Sequence, residues 1–183
     1  VSKVRDFAPN SDVRFELLDL ASLASIRDFA ARINASGVPV DVLINNAGVM
    51  AYLDRRETAD GFEAQFGTNH LGHFALTGLL LPSLRKVKKP RVVTVSSLAG
   101  RYGKMNFNDL NSERTYNPGV AYAQSKLANQ MFATELQRRS KTASWGLESM
   151  AVHPGVSATD LFVNGPGSKG YYAFLEKIMS QPA

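Results

Sequence analysis

Tyr122 and Lys126 stand four residues apart in the run Tyr122-Ala-Gln-Ser-Lys126. On a helix that spacing places the phenol and the ammonium side by side on one face. A free phenol, with a pKa near ~10, is a poor base at neutral pH, and a neighbouring cation favours the phenolate and draws that value toward the working range. Such a pair can give or take the proton of an alcohol–carbonyl interconversion. The same spacing also describes an ordinary solvated helix face, so its weight depends on what accompanies it.

What accompanies it is polar and small. Ser96-Ser97 closes an apolar, β-branched run, where a hydroxyl can hold a substrate oxygen or, more plainly, cap a helix. Asn45-Asn46-Ala47-Gly48 closes the run before it; Ala47 and Gly48 have almost no side chain, so a flat or ribose-bearing ligand can lie against the backbone there. The plainer use of those four residues is a tight turn leaving a sheet. Asn69 sits inside an apolar helical pattern, where its carboxamide competes with the helix backbone and asks for an explanation. His70 and His73 have a spacing a metal could use, but no third histidine or carboxylate joins them at ligand spacing, so they read as packing or surface residues and no metal site is expected. Trp145 reads as core or edge packing. Phe162, Tyr171, Tyr172 and Phe174 follow or flank the glycine-rich stretch 164–170 and read either as a helix face or as a substrate lid.

The elements that must position these residues alternate. Residues 13–19 read as a strand, and Ser22 caps a helix over 22–36 with Leu23, Ile26, Phe29, Ala30 and Ile33 on one face. Gly37 and Pro39 end it, and 40–45 is the nearly continuous apolar run of a buried parallel strand. A helix follows over 60–84, a strand over 91–96, a loop over 101–119, a helix over 121–141, a strand over 147–153 and a helical tail over 171–179. Strands and helices in this order force a parallel sheet with helices on both faces, an α/β fold. Ligands of such sheets bind beyond the carboxyl ends of the strands, where Asp19, Asn45-Asn46, Ser96-Ser97 and His153-Pro154 fall.

Composition sets the outer bounds. With 183 residues, 44% hydrophobic and 20% charged, the chain reads as one soluble globular domain over 1–183. No apolar run approaches the roughly 20 residues of a membrane helix; Leu79-Leu80-Leu81 meets Pro82 and then Arg85, Lys86, Lys88 and Lys89. There is no cysteine, which excludes disulfides and thiolate metal sites and permits the cytoplasmic location expected here. The net charge of +5 is densest over 85–91, where cations complement a helix C-terminus, so no nucleic-acid partner is expected.

Asn45-Asn-Ala-Gly48, Ser96-Ser97, Tyr122-x-x-x-Lys126 and Pro154-Gly155 together resemble, in order, the motifs of the short-chain dehydrogenase/reductase family. Asn46-Ala-Gly-Val-Met50, Thr58-Ala-Asp-Gly-Phe-Glu63, Asn69-His-Leu-Gly-His-Phe74, Tyr122-Ala-Gln-Ser-Lys-Leu-Ala-Asn129, His153-Pro-Gly155 and the long loop between Ser97 and Tyr122 are similar to its retinol-dehydrogenase-like and WW-domain-oxidoreductase-like branch. The resemblance implies a Rossmann-type doubly wound parallel sheet and an oxidoreductase using NADP or NAD, with NADP favoured by the branch, on a lipophilic carbonyl or alcohol. It implies that Tyr122 is the general acid/base, that Lys126 lowers its pKa and bonds the nicotinamide ribose, that Ser97 rather than Ser96 polarises the substrate oxygen, and that Asn69 holds a water in a proton relay to Lys126. It further implies that Asp19 and Leu20 meet the adenine, Asn46, Ala47 and Gly48 the adenosine ribose side, Pro154, Gly155 and Val156 the nicotinamide carboxamide, and Thr159 a phosphate. A homodimer through the helices of Asn69 and Tyr122 is also implied.

The sequence departs from the family at its ends. It opens at Val1 in helical character, and no Thr-Gly-x-x-x-Gly-x-Gly loop precedes the first strand, the family's cradle for the pyrophosphate. The family's first two strands and its last are not found either. Because those first strands belong between 13–19 and 40–45, the resemblance implies a sheet with a gap there, and hence a chain that is part of a longer protein. A rearranged sheet joining the two segments is the alternative. A catalytically silent dinucleotide-binding or interaction module is the alternative function.

Overall fold

The computed structural model describes residues 2–50 and 52–155. In chain order these form α1 (Ser2–Phe7), α2 (Leu23–Ala35), β1 (Val42–Asn45), a short α3 (Ala64–Phe66) that runs through a π-helical turn (Gly67–Leu71) into α4 (Gly72–Leu84), β2 (Arg91–Val95), a 3-10 turn (Leu98–Arg101), α5 (Pro118–Thr142) and β3 (Glu148–Val152). The strands make a parallel three-stranded sheet in the order β1-β2-β3, with Val42 opposite Arg91 and Arg91 opposite Glu148. Parallel neighbours need long crossovers, and α4 and α5 supply them.

The helices form where the pattern and the caps agree. Ser22 accepts the Ser25 amide at 3.3 Å and starts α2. Ile26 and Ala30 of α2 are buried, Leu23, Phe29 and Ile33 pack beside them, and Gly37 leaves the helix at φ +74°. Asn117 accepts the Gly119 and Val120 amides and Pro118 fills the first turn of α5, where its missing N–H costs nothing. One core gathers Ile26 and Ala30 from α2, Leu76, Leu80 and Leu84 from α4, Val92 from β2, Leu136 from α5 and Leu147 just before β3. Trp145 packs against it as expected, with the Arg85 guanidinium 5.8 Å from its ring centre. Among the described residues no helix is long and apolar enough to cross a membrane.

The sheet is asymmetric. Asn45, Val92 and Thr94 are buried on the helix-covered face, while Val42, Ile44, Met150 and Val152, of the opposite parity, are 49%, 61%, 38% and 41% exposed. The described helices therefore cover one face of the expected two-faced architecture.

The expected strand over 13–19 does not form. The segment runs without a ladder partner, Phe15 and Leu17 are exposed, and only Leu18 and Leu20 reach the core. A strand needs a neighbour for its N–H and C=O groups, and among the described residues β1 pairs only with β2, so no ladder joins the outer edge of β1 to this segment. The rearranged sheet joining the two segments does not form among the described residues, and neither does the outer strand that would have faced the expected gap. The helix expected from residue 60 begins at Ala64, because the buried Glu63 carboxylate caps it by accepting the Gln65 and Phe66 amides at 3.0 and 2.7 Å. The helix expected over 171–179 lies outside the described residues.

Candidate active site

At the end of β2 the chain presents two hydroxyls in different directions. Ser96 keeps its amide on Val152 O at 2.7 Å, and its buried Oγ donates to Lys126 O at 2.7 Å and accepts from Gln130 Nε2 at 3.1 Å. It ties the strand to α5. Ser97 caps the 3-10 turn by accepting the Ala99 amide at 3.3 Å, and its side chain hydrogen-bonds Tyr122. Ser97 is thus the hydroxyl beside the phenol.

Tyr122 and Lys126 share one face of α5, and both are buried. The ammonium lies 5.7 Å from the centre of the Tyr122 ring and donates to Val95 O at 3.2 Å. Gly48 closes over the pair: a Cβ there would stand 3.0 Å from Asn69 Oδ1 and 3.5 Å from Lys126 Nζ. The closing turn of β1 therefore lies against the ammonium and the Asn69 carboxamide with no room to spare at Asn69 for a side chain. Burial pushes Lys126 down to about 8, because the interior disfavours the charged form. Burial raises Tyr122 above its ordinary value, and the opposing pull comes from the Ser97 hydrogen bond.

Asn69 lies in the π-helical turn and is fully buried. Its Oδ1 accepts the Val49 amide at 2.8 Å, and its Nδ2 donates to Val49 O at 2.9 Å and to Ser125 Oγ at 3.0 Å. Ser125 Oγ in turn donates to Tyr122 O at 2.8 Å. The carboxamide thus clamps the turn after β1 to the helix of the Tyr–Lys pair, which accounts for an asparagine inside an apolar pattern. Single π turns recur inside α-helices at functional sites; here the widened turn carries that clamp.

The outer residues are arranged around this centre. Asp19, exposed, accepts the Ala21 amide at 2.8 Å through Oδ1, and Leu20 lies against α4, where a Cβ on Gly72 would meet Leu20 O at 2.5 Å. The Asp19-Leu20 turn therefore rests on the helix that follows Asn69. Asn46 and Ala47 are exposed ahead of Gly48. Pro154 and Gly155 are exposed after β3, with Gly155 at φ +74° and its amide on His153 Nδ1 at 3.1 Å. Val156, Thr159 and the aromatics Phe162, Tyr171, Tyr172 and Phe174 lie outside the described residues. The long loop after Ser97 is knitted down beside the site: Asn106 N donates to Gln124 Oε1 at 2.9 Å, Gln124 Nε2 to Leu110 O at 3.0 Å, and Tyr116 Oη to Tyr52 O at 2.8 Å. Burial, the largest cause, pushes the Tyr116 phenol up to about 12.

The two histidines pack, as read. His73 is buried with Nδ1 2.9 Å from Asn69 O, and burial brings it down to about 4. His70 sits 5.2 Å from Phe66 and 6.3 Å from Phe132, ring centre to ring centre. Among the described residues no cluster of three or more metal-ligating side chains occurs. Sequence reasoning missed Ser125, Gln130 and Val95 O as parts of the site. Ser125 stands inside the Tyr122–Asn129 motif and was available as a signal; a backbone carbonyl leaves none.

A family model for short chain dehydrogenase matches residues 3–166. Human polyprenol dehydrogenase is 45% identical over 88% of this chain and 50% of its own length. Human retinol dehydrogenase 13 is 50% identical over 86% of this chain and 47% of its own length. The chain spans about half the length of the curated relatives it matches. A crystal structure of a protein from Mycobacterium Paratuberculosis superposes with a TM-score of 0.72 at 46% identity, covering 91% of this chain and 65% of that one. A Pseudomonas aeruginosa RhlG/NADP complex, at 23% identity and a TM-score of 0.65 over 90% of this chain and 62% of that one, shares the fold.

Proposed function

We propose, from the premise that this chain belongs to the short-chain dehydrogenase family, that it serves an NAD(P)-dependent interconversion of an alcohol and a carbonyl, with Tyr122 as general acid and base. The observation that carries the reading is the Ser97–Tyr122 hydrogen bond with the Lys126 ammonium alongside. Two hydroxyl donors meet at one point, where a substrate oxygen would be held from both sides. Charge that develops on that oxygen is stabilised by preoriented donors, which need no reorganisation as it forms.

The residues fit a dinucleotide. Gly48 leaves bare backbone over Lys126 Nζ and Asn69 Oδ1, a cradle that a Cβ would fill. Lys126 would bond the nicotinamide ribose, Asn46, Ala47 and Gly48 would line the adenosine ribose side, Asp19 and Leu20 the adenine, and Pro154 and Gly155 the carboxamide. NADP is the form the family branch favours. When bound, the dinucleotide supplies or accepts the hydride. In the reducing direction Tyr122, held protonated by its burial, gives its proton to the substrate oxygen while Ser97 keeps that oxygen in place. In the oxidising direction the phenolate needs the Lys126 cation nearby, and with a value of about 8 Lys126 is mostly charged at neutral pH. A lipophilic substrate is supported by the names of the relatives, retinol and polyprenol dehydrogenases.

Replacing Tyr122 with Phe in the full-length enzyme keeps the ring and removes the proton. Turnover is expected to fall at least ~100-fold, the usual scale for losing a positioned acid/base, while dinucleotide affinity stays within about twofold. Ordinary turnover in that variant refutes the assignment.

A further inference from the structure

Val95 O, the last carbonyl of β2, accepts two hydrogen bonds from α5. One is from Lys126 Nζ at 3.2 Å and the other from Asn129 Nδ2 at 3.2 Å. A carbonyl oxygen has two lone pairs, so the pair of donors saturates it. Asn129 is 1% exposed, and its own oxygen, Oδ1, faces His70 Nδ1 at 3.2 Å. The opposite amide orientation would set Asn129 Oδ1 against Val95 O, two oxygens with no proton between them. The amide is therefore fixed with Nδ2 toward the strand, and His70 carries its proton on Nδ1 to meet Oδ1. A chain of single-direction hydrogen bonds runs from His70 through Asn129 to the same oxygen that holds the lysine.

We propose that Asn129, oriented by His70, is a positioning residue of this site: it fixes the Val95 carbonyl as the tether that holds the Lys126 ammonium beneath Tyr122 and Gly48. The geometry makes the role specific. Val95 O is the acceptor in hydrogen-bond contact with Lys126 Nζ, so whatever aims that oxygen aims the lysine. Asn129 stands one turn beyond Lys126 on α5, its carboxamide directed into the protein, and it makes no other contribution to the site. The second donor also limits how strongly the carbonyl can bind the ammonium, which leaves Lys126 able to turn toward a ribose. This rests on the reading of Tyr122 and Lys126 as the working pair, but its test does not depend on turnover.

The test follows the Lys126 amine itself by NMR of lysine labelled at the side chain, titrated through the alkaline range. The groups about this amine are Tyr122 on α5, Asn69 beside Gly48 in the π turn, and His73 on α4, which feels its charge. All are left unchanged in the variants. Asn129→Asp, isosteric, replaces the donor by a carboxylate beside the shared oxygen, and the Lys126 midpoint is expected to rise by at least one pH unit, a tenfold gain in proton affinity. His70→Phe keeps a ring in the aromatic cluster but removes the N–H that anchors Oδ1, so the Nδ2 bond to Val95 O slackens, that oxygen holds the ammonium more firmly and the midpoint rises; His70→Gln returns an N–H to Oδ1 and restores it. An unchanged midpoint in a folded Asn129→Asp chain overturns the proposal. Should that variant not fold, the His70 pair decides: equal midpoints in His70→Phe and His70→Gln reduce His70 to packing and overturn it too. Failure of the Tyr122→Phe test would instead remove the chemistry while leaving these midpoints as predicted.

Discussion

Ser96 and Ser97 leave β2 on alternate sides of the chain, so one hydroxyl meets the α5 backbone and the other the Tyr122 phenol. The same side chain therefore carries different consequences. Ser96→Ala leaves the half-buried Gln130 Nε2 without its acceptor and takes from Lys126 O the donor it has beside its helix partner, a loss of about 1 kcal/mol, visible as a lower melting temperature. Ser97→Ala removes one of the two donors proposed to meet the substrate oxygen, and kcat should fall on the order of 100-fold or more, while stability falls by no more than the ~1 kcal/mol of a lost cap. Melting curves and turnover measured on both variants decide it; a stability loss at Ser97 with full activity would exchange the two roles. The choice between the serines was read from family resemblance alone, since nothing in a Ser-Ser pair says which way each faces. The phenol's environment was less legible still. Lysine at four residues' distance suggested a lowered value, but burial, which a sequence does not display, dominates and raises it.

Elements formed where local signals agreed with tertiary demands. Ser22 before an amphipathic run, Asn117-Pro118 before α5 and the β-branched run at β2 are all legible because cap, pattern and burial point one way. Residues 13–19 alternate as a strand should, yet a strand exists only with a partner, and that is a non-local fact. The π turn was hidden for a related reason: Gly67–Leu71 is widened by what Asn69 must reach and by His73, whose ring meets the Asn69 carbonyl at 2.9 Å. His73 gives this element an acid limit. Its proton affinity is depressed from 6.5 to about 4 in the fold, so between those values the unfolded chain binds the extra proton. Stability that is whole above pH 6.5 is then lost as the pH falls toward 4, by up to ~3 kcal/mol from this one group. His73→Asn keeps an N–H for the carbonyl and cannot titrate. Urea midpoints at pH 7.5 and 4.5 should therefore differ less in the variant than in the parent chain, and an identical drop in both would place the acid sensitivity elsewhere.

At the scale of the molecule, the purely parallel sheet sets an expectation of its own: such sheets are covered on both faces. Among the described residues one face holds the core, while Val42, Ile44, Met150 and Val152 stand open on the other, where the Arg91–Glu148 pair at 3.4 Å lends charge. Contiguous apolar patches of this kind bind apolar probes and other surfaces. A dye that fluoresces in apolar surroundings should bind the chain in its folded state. Ile44→Thr with Val152→Thr keeps β-branched side chains suited to strands and should lower that signal by about half or more. Because both positions are already exposed, each change should cost no more than ~0.5 kcal/mol, a shift of a few degrees at most in melting temperature. The active-site face should be untouched, since Ser97, Tyr122 and Lys126 are held from the side of α5. Undiminished dye binding in the double variant would mean that the open sheet face is not the apolar surface the chain presents, and attention would pass to the exposed Phe15 and Leu17.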